Sequence, residues 1–114
     1  MSKKAAQLQS LMEEELLYQN PALTREILAK KIELSDGYLS ELVKTIFKKN
    51  LTDYINEYRI NQVMDMFKDP KFDHYSIEAI GYESGFKTKS VFYSAFKKAT
   101  QKSPGVYRKD LNSS

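Results

Sequence analysis

Between Ser84 and Lys109 seven side chains are basic (Lys87, Lys89, Lys97, Lys98, Lys102, Arg108, Lys109) and none is acidic. The whole chain carries 18 Lys and Arg against 15 Asp and Glu, a formal +3. Most of the excess positive charge therefore sits on one segment, and a polyanion is its natural partner. Thr88, Ser90 and Ser94 lie among these lysines, and short hydroxyls bond base edges as donors or acceptors alike. Catalytic chemistry is scarce by contrast. His74 is the sole imidazole and cysteine is absent, which removes thiol nucleophiles, disulfides and thiolate metal sites. With no metal-ligand cluster, no nucleophile beside a base and no phosphate loop in the sequence, the chain is not expected to be an enzyme, and no cofactor is called for.

A chain of 114 residues has room for one compact core, or for two very small subdomains sharing a connector. It contains no apolar run of about 18 residues that would span a bilayer. Its start, MSKKAAQLQS, lacks the apolar core and cleavage site of a secretory signal. Together with the missing cysteine, these features point to the cytoplasm and to no direct membrane contact.

Every sustained periodicity is helical, so the fold class is expected to be all-α with about seven helices. A first helix is predicted over Ala5 to Tyr18, with Leu8, Leu11, Met12 and Leu16 or Leu17 as its apolar stripe, ended by Asn20 and Pro21. Thr24 caps a second that runs to Ile32 and buries Ile27, Leu28 and Ile32. Ser35 caps a third over Asp36 to Lys48, with Leu39, Leu42, Val43, Ile46 and Phe47 inward. Thr52 is expected to cap a long fourth that reaches Phe67, burying Ile55, Tyr58 or Arg59, Val63 and Phe67. Lys68 to Tyr75 reads as a turn broken by Pro70. Ser76 opens a fifth helix, Thr88 or Lys89 a sixth, and Pro104 a short last turn.

The chain repeats itself. Leu28-Ala29, then Leu34, Ser35, Leu39, Val43 and Lys44, align with Ile80-Gly81, then Phe86, Thr88, Phe92, Phe96 and Lys97, at an offset of 52 before the turn and 53 after it. Ala29 and Gly81 are small where two crossing helices must approach, and Gly85 suits a tight turn with φ above zero. Two copies imply two helix-turn-helix motifs and two recognition helices. The helix between them, Thr52 to Phe67, would be a rigid spacer roughly 24 Å long. Recognition helices held on it would enter successive major grooves, about 34 Å apart.

The two motifs, Tyr58-Arg59 on the connector, the string Ile80…Gly85-Phe86…Phe92…Ala95-Phe96-Lys97-Lys98 and the closing Ser103-Pro104…Tyr107-Arg108 resemble the DNA-binding domain of AraC/XylS-type transcription regulators. The resemblance covers Leu23 to Lys109, and the segment from Asp69 to Ser90 is similar to forms found in Bacteroidetes-type regulators. It implies an N-terminal helix over 1–22 linking to a sensor region outside this chain, a first helix-turn-helix over 23–50, a connector helix over 51–69, a second helix-turn-helix over 70–110, and a tail over 111–114. It further implies double-stranded promoter DNA as partner, with RNA polymerase as a second. On the first motif the groove-facing positions fall on Gly37, Ser40, Glu41 and Lys44, with Tyr38 beside them; on the second they fall on Lys89, Ser90, Tyr93 and Ser94, with Lys87 and Thr88 at the helix start. Ser35, Lys48, Lys97, Lys98 and Arg108 complete the expected DNA-binding set. Gly37 offers no side chain and Glu41 is an anion facing a polyanion, so the first motif is expected to read fewer bases.

Other residues read as structural. Phe86, Val91, Phe92 and Phe96 at helical spacing are expected core, and Met64 and Met66 core filler. Arg59 suits an ion pair or a carbonyl cap, while His74 suits a solvated turn. Lys97, Lys98 and Lys102 are expected on phosphates for want of compensating acids. Glu13-Glu14-Glu15 marks an outward face or an interface with another domain. A helical protein-interaction adaptor is the alternative function, and the basic recognition helices count against it.

Overall fold

The computed structural model describes residues 2–113. Among these residues all regular structure is helical: seven α-helices and two 3-10 turns, with no strand. Two compact units divide between Asn56 and Glu57, inside one long helix.

The first unit holds α1 (Ser2–Glu13), a 3-10 turn at Leu17–Gln19, α2 (Arg25–Lys31), α3 (Asp36–Phe47) and the start of α4 (Leu51–Lys68). Its centre is Leu8, Met12, Leu28, Ile32, Leu39 and Val43, all fully buried. Helix α1 stops at Glu13 and does not reach Tyr18 as its stripe suggests. Three successive glutamates at a helix C-terminus oppose the backbone dipole, and Leu16 takes a left-handed φ of 56° and lies exposed. Thr24 caps α2 by accepting from Ile27 N at 3.1 Å, as expected. Ile27 itself is exposed, and Ala29 is buried with Leu28 instead. Ser35 caps α3 by accepting from Tyr38 N at 3.1 Å; of its expected inward residues, Leu39, Leu42 and Val43 are buried while Ile46 and Phe47 are half-buried. The cap of α4 is Asn50 and not Thr52: its Oδ1 accepts from Asp53 N at 2.8 Å. An earlier start lets Leu51 enter the helix and brings Tyr54 to 4.7 Å from the Phe47 ring.

The second unit continues along α4, then turns through Pro70–Phe72 into α5 (Ile77–Glu83), α6 (Lys89–Thr100) and α7 (Pro104–Asn112). Ile60, Val63, Met66 and Phe67 of α4 pack with Ile80, Phe86, Phe92 and Phe96. Tyr58 and Arg59 are half-buried at the margin, with the Arg59 guanidinium 5.8 Å from the Phe86 ring centre. The segment opened by Pro104 is a full nine-residue helix, longer than the single turn expected. Ser103 accepts from Val106 N at 3.3 Å, and proline pre-sets the first helical φ. The helix then continues because Tyr107 finds a buried edge-to-face partner in Phe96 at 5.3 Å.

Candidate nucleic-acid interface

Both motifs are built on one backbone device. In the first, Leu34 N donates to Ala29 O at 2.9 Å; in the second, Phe86 N donates to Gly81 O at 3.1 Å. Each bond closes the end of the scaffold helix over a residue of positive φ, Glu33 at 58° and Gly85 at 110°. A hydroxyl then starts the recognition helix. Ser35 does so for α3, and Thr88 does so for α6 by accepting from Val91 N at 3.2 Å. Ser76 repeats the Thr24 cap at the start of α5, accepting from Ala79 N at 3.0 Å. The aligned pairs thus coincide in hydrogen bonding as well as in sequence.

Phe92 and Phe96 hold the inner face of α6 in the core. Its outer face carries Lys89, Ser90, Ser94, Lys97 and Lys98, all exposed, with Lys87 and Thr88 exposed just before it. Val91, expected in the core, is half exposed at 50%. It lies about 100° around the helix from Phe92 and about 140° from Phe96, beyond the arc that those two bury. An apolar side chain on an outer face can touch a thymine methyl.

Tyr93 is half-buried at the edge of this face. Its hydroxyl donates to Glu78 Oε1 of α5 at 3.0 Å, and its ring meets Phe92 edge-on at 5.5 Å. Burial, then the bond to Glu78, pushes its phenol above the usual value. Lys89 Nζ lies 3.7 Å from the same carboxylate oxygen and 5.3 Å from the Tyr93 ring centre. Glu78's own backbone N–H, then the Tyr93 hydroxyl, hold its carboxyl below the ordinary range.

On α3, Tyr38 is 63% exposed, and Gly37, Glu41 and Lys44 are exposed beside it, with Lys48 exposed past the helix end. A Cβ added at Gly37 would meet nothing within 4 Å, so this corner of α3 is open. Ser40 is half-buried and lies 3.4 Å from Arg25 NH1, which donates to it. Arg25 and Glu78 each reach a recognition helix from the preceding helix, and both escaped the sequence reading. The repeat does not announce them, since it pairs Arg25 with Ile77 and Glu26 with Glu78; they share only a place in the first turn of the helix before the recognition helix.

Some of the expected phosphate contacts have other partners. Arg108 points into the unit: NH1 donates to Tyr75 O at 2.8 Å, NH2 to Phe72 O at 3.1 Å and to Asp73 O at 3.5 Å. Its guanidinium also lies 5.2 Å from the Phe67 ring centre. Carbonyls of the turn between α4 and α5 thus take the donors that the sequence reading aimed at DNA. Lys102 Nζ is 2.7 Å from Asp110 Oδ2. The acid-free stretch is thus compensated from outside its ends, by Glu78 before it and Asp110 after it.

A family model described as a helix-turn-helix domain matches residues 28–110. The melibiose operon regulatory protein of Escherichia coli (strain K12) is 33% identical over 88 residues, covering 77% of this chain and 28% of that protein. The Msm operon regulatory protein of Streptococcus mutans is 31% identical over 84 residues, covering 74% of this chain and 29% of its own length. Among solved structures, the C-terminal domain of the two-component response regulator yesN from Fusobacterium nucleatum is similar with a TM-score of 0.73 at 27% identity, covering 91% of this chain and 96% of that one. The chain spans only 28% to 31% of the length of the curated relatives it matches.

Proposed function

Since the chain belongs to the AraC/XylS-type helix-turn-helix family, we propose that it is a sequence-specific binder of double-stranded promoter DNA that acts in transcription regulation. The observation that carries this reading is the duplicated, hydroxyl-capped recognition helix presenting short polar and basic side chains on its exposed face. Helices α3 and α6 would enter adjacent major grooves. Ser90, Ser94, Lys89 and Tyr93 of α6 read base edges, and Tyr38, Ser40, Glu41 and Lys44 of α3 make fewer such contacts around the open Gly37. Lys48, Lys87, Lys97 and Lys98 grip phosphates and set the register, as do the backbone N–H groups at helix starts capped by Ser35 and Thr88. Contact with RNA polymerase, a sensor region elsewhere in a longer protein and a cytoplasmic location belong to the same proposal.

Salt dependence tests it directly. With Arg108 and Lys102 engaged inside the unit, Lys48, Lys87, Lys97 and Lys98 remain as phosphate ligands, and the log–log slope of affinity against salt should be about −4. A slope near zero in a fluorescence-anisotropy titration from low to physiological salt would overturn the DNA reading. No helix among the described residues is long and apolar enough to cross a membrane.

A further inference from the structure

Glu78 lies outside every expected interface position, on the scaffold helix α5. Yet its Oε1 accepts from the Tyr93 hydroxyl at 3.0 Å and stands 3.7 Å from Lys89 Nζ. These are two of the four side chains assigned to base reading on α6. We infer that Glu78 is the positioning residue for α6: it holds the Tyr93 and Lys89 side chains in one arrangement before DNA arrives, and so determines specificity without touching a base.

The physical case has two parts, and both rest on the DNA reading above. Lysine and tyrosine side chains lose rotamer freedom when they bind, and holding them in place beforehand removes part of that cost only for the sequence that fits the held geometry. Exposed ion pairs are individually weak, commonly under about 1 kcal/mol. Here, however, one carboxylate collects a hydroxyl and an ammonium, the ammonium lies 5.3 Å from the ring centre of that same tyrosine, and the ring is fixed edge-on against buried Phe92. The arrangement is closed on itself. The carboxylate also repels phosphates that approach without matching contacts, which weakens random binding. In the first motif the position matching Tyr93 is Ser40, which receives its bond from a cation, Arg25. The residue matching Glu78 there is Glu26, which lies 3.9 Å from Arg25 of its own helix.

Glu78→Gln keeps the shape and an amide oxygen for Tyr93 but removes the charge. Selection of bound duplexes from a random library, with affinities for selected and random DNA measured alongside, should show loss of preference at the positions read by the start of α6. The ratio of specific to random affinity should fall about 5–10-fold, within the range of a single lost contact, while thermal stability stays close to that of the parent. Tyr93→Phe removes the hydroxyl that Glu78 holds and should relax the same positions. Adding Glu78→Gln to it should change them little further. Glu83→Gln removes a carboxylate from the same helix without touching Lys89 or Tyr93 and should leave the selected sequence intact. An unchanged selected sequence and ratio in Glu78→Gln would overturn the positioning role while leaving DNA recognition standing. Failure of the parent chain to select any sequence would overturn both.

Discussion

Ala29 and Gly81 occupy matching places in the two motifs, and each accepts the bond that closes its turn, but their neighbours differ in size. Opposite Ala29 the aligned core residue is Leu39; opposite Gly81 it is Phe92. A Cβ built on Gly81 would lie 2.5 Å from Phe92 Cδ2, 2.7 Å from Cε2 and 2.9 Å from Cγ. The second motif has exchanged a methyl group on the scaffold helix for an aromatic ring on the recognition helix. Volume is conserved across the crossing while the turn-closing bond and a hydroxyl cap are kept, which is the freedom close-packed cores allow.

That exchange gives the largest effect we expect. Gly81→Ala should destabilise the second unit by about 1–3 kcal/mol despite alanine's better helix propensity, because the ring root cannot move aside in a buried site. Combining it with Phe92→Leu, which recreates the pair of the first motif, should recover part of the loss in denaturant unfolding. If the two substitutions were simply additive, the volume exchange would not be what distinguishes the motifs.

A second contrast lies one turn further on. Gly85 adopts φ 110° while Glu33, its counterpart, manages at φ 58°. The latter lies in the left-handed well that side chains tolerate at a cost, and the former lies outside it. Gly85→Ala should therefore cost about 1–2 kcal/mol, whereas Glu33→Gly should be neutral or stabilise by up to about 1 kcal/mol. Equal losses from both changes would show that the turns are not set by backbone conformation.

The smallest effect concerns the outer faces. Glu41 of α3 and Ser94 of α6 are aligned and both exposed. If phosphate repulsion dominates at Glu41, Glu41→Gln should tighten binding to random duplex a few-fold, on the scale of one screened charge. Weakened binding to the selected site alone would instead mark a hydrogen bond from cytosine N4 to the carboxylate. No change in either would place Glu41 away from DNA.

Local chemistry was legible in the sequence and distant partners were not. Thr24, Ser35, Ser76 and Thr88 were readable as helix starts because a cap needs only a hydroxyl and an N–H three residues on. The repeat, the all-helical class and the inward Leu39, Val43, Phe92 and Phe96 followed from spacing. The carbonyl partners of Arg108 were not legible because they lie 33 to 36 residues upstream, beyond any periodic pattern. Lys102 looked uncompensated because Asp110 lies eight residues on, past the end of the acid-free stretch. Val91 and Ile27 were read inward from helical spacing, yet each sits at the edge of its helix's apolar arc, where only packing decides. The early end of α1 depended on a left-handed Leu16, which residue type alone does not announce.

The central claim, that one backbone device is used twice with α6 reading more bases than α3, is tested most directly by selecting bound sequences from a random duplex library with the unmodified chain. The account predicts a bipartite preferred sequence whose better-defined half is altered by Ser90→Ala and left intact, though bound more weakly throughout, by Lys98→Ala, each recognition contact being worth about 1–3 kcal/mol at its own position. An unaltered preference in Ser90→Ala, or a better-defined half that changes only with substitutions on α3, would contradict it.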